Sequence, residues 1–301
     1  VKPKKPGPNH CRLAVILARD ASKAVIFRRG PSVWTQVILW DTYTDTFEEG
    51  QWFKGRIYTE RCDLSPDGSK LVYFAAKHHA VRDSAFTAWT AVSRPPYVTA
   101  LMLWSNAGTY GGGGYFENDQ TIWLNIWERS PDVVNMPMPA GFTVRYPDRQ
   151  RRIVGNHQYT AHGWSVVEDA NPYLYAKRVP YDPEWFKYTR WYDTPITWRK
   201  DHPEGIYSLT STELGYSGNR YGSIYARDVT LLRDDVEIEL LTDEWADWDQ
   251  QGRLVYVSEG KLYIGHLQGG KVIPDLLHDF NPNKVQMIQS PGWAKTWNQT
   301  P

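Results

Sequence analysis

The sequence predicts an all-β fold, a single five-bladed β-propeller, and three observations predict it. A hairpin with one turn grammar recurs along the 301 residues. The strand-like runs come four to about 45 residues, the content of one propeller blade. The chain is also rich in residues that suit pleated sheets, with 15 Trp, 19 Tyr and 9 Phe.

The first unit opens with Arg12–Ala18, turns at Arg19-Asp20-Ala21, and continues through Ser22–Phe27, Thr35–Asp41 and a weaker strand near Thr46–Trp52. The second unit carries the clearest hairpin, Arg61–Phe74. Pro66 pre-sets φ, Asp67 bonds back to the backbone, and Gly68 takes the position that needs a positive φ. Its strands are Arg61–Leu64, Lys70–Ala75, Phe86–Val92 and Val98–Trp104, with Arg94-Pro95-Pro96 as the corner between the last two. The third unit starts at Tyr115-Phe116, turns at Glu117-Asn118-Asp119-Gln120 and runs through Thr121–Trp127. It then breaks into an insertion and is expected to resume with Gly163–Glu168 and Tyr173–Val179. The fourth unit has Pro195–Lys200, a turn at His202-Pro203-Glu204-Gly205, Ile206–Thr212, Tyr221–Asp228 and Val236–Leu241. The fifth has Trp245–Trp248, a turn at Asp249-Gln250-Gln251-Gly252, Arg253–Val257, Lys261–His266 and Lys271–Leu277.

The turn residues Asp20, Asp67, Asp119, Glu204 and Gln251 recur at intervals of 47, 52, 85 and 47 residues. The long interval is the insertion, and a sixth blade is the alternative if one lies within 127–160. A lone four-stranded sheet cannot bury both faces, whereas radial stacking buries them and leaves only short edges. The expected organisation is a disordered basic, proline-rich lead-in over 1–9, a propeller domain over 10–285 and a tail over 286–301 packed on the ring. Two insertions are expected, at about 128–160 and 180–193.

Ser65-Pro66-Asp67-Gly68-Ser69-Lys70-Leu71-Val72-Tyr73-Phe74 resembles the S-P-D-G-x-x-[IL]-[AV]-[FY] repeat of TolB-type, WD40-like propellers. Trp245–Tyr256 is a looser version, and the chain as a whole is similar to bacterial β-propeller proteins of unassigned activity. The resemblance implies architecture over residues 10–285 and brings no catalytic residue with it.

Charge is balanced at 34 basic and 34 acidic residues, so neither a general polyanion surface nor a nucleic-acid partner is expected. Two cysteines, Cys11 and Cys62, make no disulfide framework and fit a reducing, cytoplasmic setting. No run of 18 apolar residues spans a membrane, and the start lacks the apolar core of a signal peptide. Gly108–Gly114 lacks a Gly-Lys-[Ser/Thr] ending, so it reads as a flexible crossing between blades and not a phosphate loop. Scattered histidines give no metal site, no G-x-S-x-G elbow occurs, and neither metal nor cofactor is expected. Cys62 reads as a buried structural thiol.

Two candidate surfaces remain. Trp185, Phe186, Tyr188, Arg190, Trp191 and Tyr192 form an aromatic, cationic loop, and Met136 and Met138 stand in the other insertion. Trp, Tyr and Arg concentrate at binding hot spots, and methionine suits adaptable surfaces. The leading expectation is therefore a non-catalytic protein-binding module or scaffold. The alternative is a carbohydrate-active propeller, a glycoside hydrolase or a lectin-like protein binding sugar or another small molecule at Asp63, Glu117, Glu168 and Asp247. A glycosidase would need two of these carboxylates about 5–9 Å apart.

Overall fold

The computed structural model describes residues 10–30, 33–77, 87–106, 108–109, 111–126, 138–146, 154–168, 175–178, 190–216, 225–240, 242 and 244–297. The described residues form five sheets in sequence order, the blades of a five-bladed β-propeller. Among them the α-helical content is one eight-residue helix, α1 (Val154–Ala161). No helix among the described residues is long and apolar enough to cross a membrane.

The chain divides into two compact units, one of Leu13–Ala161 with Asn283–Pro301, the other of Val1–Arg12 with His162–Pro282. The first unit holds three sheets. Sheet one is β1 (Arg12–Leu17), β2 (Lys23–Arg29), β3 (Trp34–Asp41) and β4 (Thr46–Lys54), an up-and-down meander. Sheet two joins β5 (Arg56–Ile57), β6 (Asp63–Leu64), β7 (Leu71–Ala76), β8 (Ala88–Ser93) and β9 (Ala100–Asn106). Sheet three is β10 (Gly114–Asn118), β11 (Thr121–Leu124) and β12 (Thr143–Arg145), the last running parallel to β11.

Period-two alternation puts one apolar row of each strand into the layer between adjacent sheets. Ile16, Val25, Phe27 and Val37 of sheet one meet Ile57, Leu64, Leu71 and Tyr73 of sheet two. The other face of sheet two, Val72, Val92, Met102 and Trp104, meets Phe116, Ile122 and Leu124 of sheet three. The tail lies on the same unit. Arg94 donates to the carbonyls of Thr296 and Trp297, Gln51 donates to Ile288 O, and Trp293 packs edge-on against Tyr97.

The second unit holds the remaining two sheets. Sheet four combines β13 (Ser165–Glu168), β14 (Tyr175–Arg178), β15 (Arg190–Asp201), β16 (Tyr207–Tyr216), β17 (Tyr225–Arg233) and β18 (Val236–Ile238). Sheet five is β19 (Trp245–Trp248), β20 (Leu254–Ser258), β21 (Lys261–Gln268) and β22 (Lys271–Asp279). Trp198, Leu209, Leu231, Trp248, Val255 and Leu262 are buried there.

The turn grammar is real at the level of hydrogen bonds. Gly68 N–H closes on Ser65 O, Gly205 N–H on His202 O and Gly252 N–H on Asp249 O, each within 2.8–2.9 Å. Gly68 has φ +71°, as the sequence requires. The first position of the turn then pairs back across its own hairpin, Ser65 N–H to Lys70 O, His202 N–H to Tyr207 O and Asp249 N–H to Arg253 O. These hairpins also bond to the next one along the chain. Asp20 N–H donates to Pro66 O at 2.9 Å, and Asp67 N–H donates to Asp119 Oδ1 at 2.8 Å. His202 Nε2 donates to Gly252 O at 2.8 Å while its Nδ1 accepts from Glu204 N–H, which fixes the neutral tautomer.

Several expectations are corrected. β13 and β14 pair with β15 and so belong to sheet four, not to a resumed third blade. Arg190, Trp191 and Tyr192 are strand residues that open β15, not loop. Arg190 pairs with Tyr216, Trp191 with Gly215 and Tyr192 with Tyr175. A register shift between Trp191 and Ile196 accommodates Pro195, so the strand runs through the proline instead of starting at it. Arg61–Leu64 is not one strand, because a 3-10 turn over Thr59–Arg61 precedes β6. The end of the glycine run, Gly112 and Gly113, is closely packed and not a flexible crossing. A Cβ on Gly112 would stand 2.2 Å from the Phe74 ring and one on Gly113 2.2 Å from Arg61 O, so the backbone is pressed against sheet two. Within 127–160 the described residues supply β12 and α1, not a sixth sheet.

Candidate functional site

Sheet three sends Phe116, Ile122 and Val144 inward against sheet two. Alternation therefore sends Tyr115, Glu117, Trp123 and Arg145 to its other face. Register puts Tyr115 opposite Trp123 and Trp123 opposite Arg145, so three strands contribute one continuous ladder. The Tyr115 and Trp123 rings are parallel to within 3°, with centroids 6.5 Å apart. The Arg145 guanidinium carbon lies 5.5 Å from the centre of the Trp123 ring.

Glu117 fastens the ladder from the side. Its Oε2 accepts from Trp123 Nε1 at 2.9 Å and from Arg145 at 3.3 Å. The Arg145 and Glu117 side chains are about half exposed, at 49% and 42%, which keeps the ion pair weak and the surface accessible. Stacking, the cation–π contact and the screened pair together supply about 1–3 kcal/mol, enough to hold an orientation without closing the site.

The hairpin that carries the ladder is pinned from below through one peptide. Phe116 N–H donates to Asp63 Oδ2 at 2.8 Å, and Phe116 O accepts from Arg19 at 2.6 Å. Asp63 is fully buried. Tyr115 is held protonated well above its usual range, first by burial and then by the Glu117 charge, with Arg145 and Arg19 opposing. Tyr115 is itself buried at 8% exposure, so what the ladder shows to solvent is Arg145, with Trp123 half-buried behind it.

The other expected site residues are dispersed. Asp247, in β19, is buried and gives its Oδ1 to Lys200 Nζ at 2.6 Å and to Trp248 N–H at 2.7 Å. Glu168 closes β13, where its backbone pairs with Thr197. Met138 stands half-exposed at 47%, five residues before β12. Met136, Trp185, Phe186 and Tyr188 lie outside the described residues, and Arg190, Trp191 and Tyr192 are placed by backbone only. Among the described residues no three His, Cys, Asp or Glu side chains group as a metal cage. Cys62 is buried beside Tyr58 O, and burial, reinforced by Glu60 and Asp63, pushes its thiol far up.

The sequence reading did not single out Tyr115, Trp123 or Arg145. The available signal was the alternation Tyr115/Phe116/Glu117 against Ile122/Trp123/Leu124. Nothing local announces that Arg145, more than 20 residues further on, is a parallel neighbour. As arranged, these side chains can stack, donate and accept. They offer no nucleophile with a base beside it.

No protein-family model matches the chain, and no curated protein sequence does. Among solved structures it is similar to an acylaminoacyl peptidase in complex with Z-Gly-Gly-Phe-chloromethyl ketone. That likeness has 10% identity and a TM-score of 0.26, and covers 89% of this chain and 44% of that one. The chain thus spans less than half the length of that peptidase. It is also similar to the β-propeller domain of the Trilobed protease from Pyrococcus furiosus, with 11% identity, a TM-score of 0.26, and coverage of 89% and 82%. Neither likeness carries an activity to this chain.

Proposed function

We propose that the chain is a non-catalytic protein-binding module, built from TolB-type, WD40-like blades and working in the cytoplasm. The observation that carries the reading is the Tyr115–Trp123–Arg145 ladder, open to solvent at Arg145 and clamped by Glu117. Trp, Tyr and Arg are the residues most enriched at protein-binding hot spots, and a side chain already fixed in place loses little entropy on binding. Met138 and Tyr146, both at least about one-third exposed, flank the ladder's outer strand and extend the surface.

The carbohydrate alternative draws support from the same place, since an aromatic plane beside a carboxylate also suits a sugar ring. Against it, Asp63 is committed to Phe116 N–H, Asp247 to Lys200 and Glu117 to Trp123 and Arg145, so three of the four candidate acids already have structural partners. The test is capture of partners from native extract by the wild-type chain and by Trp123→Ala and Arg145→Ala, read by mass spectrometry, beside a glycan array. A protein retained by the wild type and lost by both variants supports the reading. Glycan binding that requires Trp123, with no protein lost, favours the alternative.

A further inference from the structure

The balanced charge of the chain is not evenly spread over its first unit. At one end of sheets one and two, residues 27–30, 33–36, 52–58 and 74–77 hold five cations, Arg28, Arg29, Lys54, Arg56 and Lys77, and no carboxylate. Register gathers them. Arg28 and Arg29 pair with Gln36 and Thr35, Trp34 pairs with Lys54, and Arg56 pairs with Ala76, the residue before Lys77. The opposite ends of the same strands carry Asp20, Asp41, Asp45, Asp63 and Asp67 against Arg19, Lys23 and Lys70.

Aromatic rings set where these charges stand. Lys54 Nζ lies 5.9 Å from the centre of the Trp34 ring and Lys77 Nζ 5.8 Å from that of Phe53. The guanidinium carbons of Arg28 and Arg56 lie 5.4 Å from the Trp52 ring centre and 4.7 Å from that of Tyr58. Such contacts orient a cation without neutralising it. Lys54 and Arg56 flank Gly55, where a Cβ would stand 2.5 Å from the Phe53 ring and 2.9 Å from Ala76 O, so the crossing between the two sheets is held close. Lys54 and Lys77 are exposed, and no ion pair among the described residues includes either. Like charges gathered in this way repel one another, a cost to the free chain that an anionic partner removes.

We infer that this rim binds an acidic segment of a protein, with the segment's carboxylates spread over Lys54, Arg56 and Lys77. Charge complementarity selects an anion. The cations leave separate strands instead of converging on one point, which suits a row of carboxylates over a single phosphate. Trp52 and Tyr58 are buried, and Trp34 and Phe53 are half-buried under their lysines. None of the four is the open stacking platform that a single-stranded nucleic acid uses. The rim is a second surface and is independent of the Tyr115–Trp123–Arg145 ladder.

The test is fluorescence anisotropy with the full chain at low salt. The probes are a fluorescein-labelled alternating Glu/Ser peptide, its Gln/Ser counterpart, and single- and double-stranded oligonucleotides of equal charge. The Glu/Ser peptide should bind, and the Gln/Ser form should bind at least about tenfold more weakly. Lys54→Gln combined with Lys77→Gln should weaken the Glu/Ser peptide at least about tenfold, with the melting temperature unchanged or raised by relief of repulsion. Lys54→Arg combined with Lys77→Arg should keep the binding. Lys271→Gln combined with Lys284→Gln removes two exposed lysines elsewhere and should leave the affinity within about twofold, as should Arg145→Ala. Absent binding of the Glu/Ser peptide, or equal binding of the Gln/Ser form or of either oligonucleotide, overturns the inference. So does indifference to the Lys54 and Lys77 changes, or an equal loss on changing Lys271 and Lys284. If the rim fails while Trp123→Ala still loses a native partner, the binding module stands without it. If the rim binds while the ladder variants lose nothing, the protein-binding reading passes from the ladder to the rim.

Discussion

Replacing Gly113 by Ala should be among the most damaging single-methyl additions in this chain. Gly113 sits at φ +85°, and a Cβ there would stand 2.2 Å from Arg61 O, 2.6 Å from Arg61 Cβ and 3.0 Å from Arg61 C. The obstacle is backbone, which cannot rotate aside. The left-handed conformation costs an alanine about 1–2 kcal/mol, and relieving the overlap about 1–3 kcal/mol more. Movement also strains the buried bond from Gly113 N–H to Thr90 Oγ1, 2.8 Å long. The sum is a loss of about 3 kcal/mol or more. Two glycines calibrate it. At Gly68, φ +71°, the Cβ would meet the Lys23 side chain at 2.9 Å, and a lysine chain can rotate. Gly68→Ala should cost about 1 kcal/mol. At Gly108 nothing among the described residues lies within 4 Å, so Gly108→Ala should change stability by less than about 0.5 kcal/mol. Urea unfolding reads all three as midpoint shifts at constant slope. A Gly113→Ala midpoint no lower than that of Gly68→Ala would refute the close-packed crossing and restore the flexible one.

Three further outcomes follow from the same geometry. Asp67 is raised by burial but lowered by more through bonds from Ser65 Oγ, Ser69 N–H and Ser69 Oγ, from 3.8 to about 2. Its neighbour Asp119, which accepts one backbone N–H, is raised, first by burial and also by the Asp67 charge. The Asp67 contribution is therefore complete above pH 3.8 and lost as pH falls toward 2. With the side chain 43% exposed, solvent screening reduces it to about 1 kcal/mol. Asp67→Asn should be less stable than wild type at pH 6, and the gap should close near pH 2; a gap that persists there contradicts the assignment. Cys11 and Cys62 are both buried thiols outside any disulfide, so a disulfide-exchange reagent should label neither in the folded chain and both after denaturation. Rapid native labelling of Cys62 would mean that its site opens. Asp247→Ala strands the Lys200 ammonium, whose side chain is 19% exposed, and should cost about 3 kcal/mol, read by thermal melting. An unchanged melting temperature would free Asp247 for a role other than structure.

What was legible in the sequence is what is local. Ser65–Gly68 and Asp249–Gly252 announce themselves because a turn is specified by adjacent residues, and the strands on either side alternate cleanly. The partner of a strand is not local. Ser165–Glu168 reads as a strand, yet nothing in four residues says that it joins β15 and not β11. Pro195 looks like a strand boundary because the shift that accommodates it depends on the facing residues of β16. The glycine run shows its permissiveness in sequence, while its reason, the Phe74 ring and the Arg61 carbonyl, lies in another sheet. Of the candidate site, Asp63 and Glu117 were chosen as carboxylates, and their observed work is to pin and clamp. The ladder they support required the parallel register of β12.

The central claim is that the Tyr115–Trp123–Arg145 face binds a protein. Its most direct test is the dissociation constant of the captured partner for wild type and Arg145→Ala, measured by calorimetry beside the melting temperature of each. A hot-spot arginine predicts an affinity loss of about 2 kcal/mol, near thirtyfold, with the melting temperature unchanged. Undiminished affinity, or a fall in melting temperature with affinity intact, would contradict the claim and leave the ladder a structural brace.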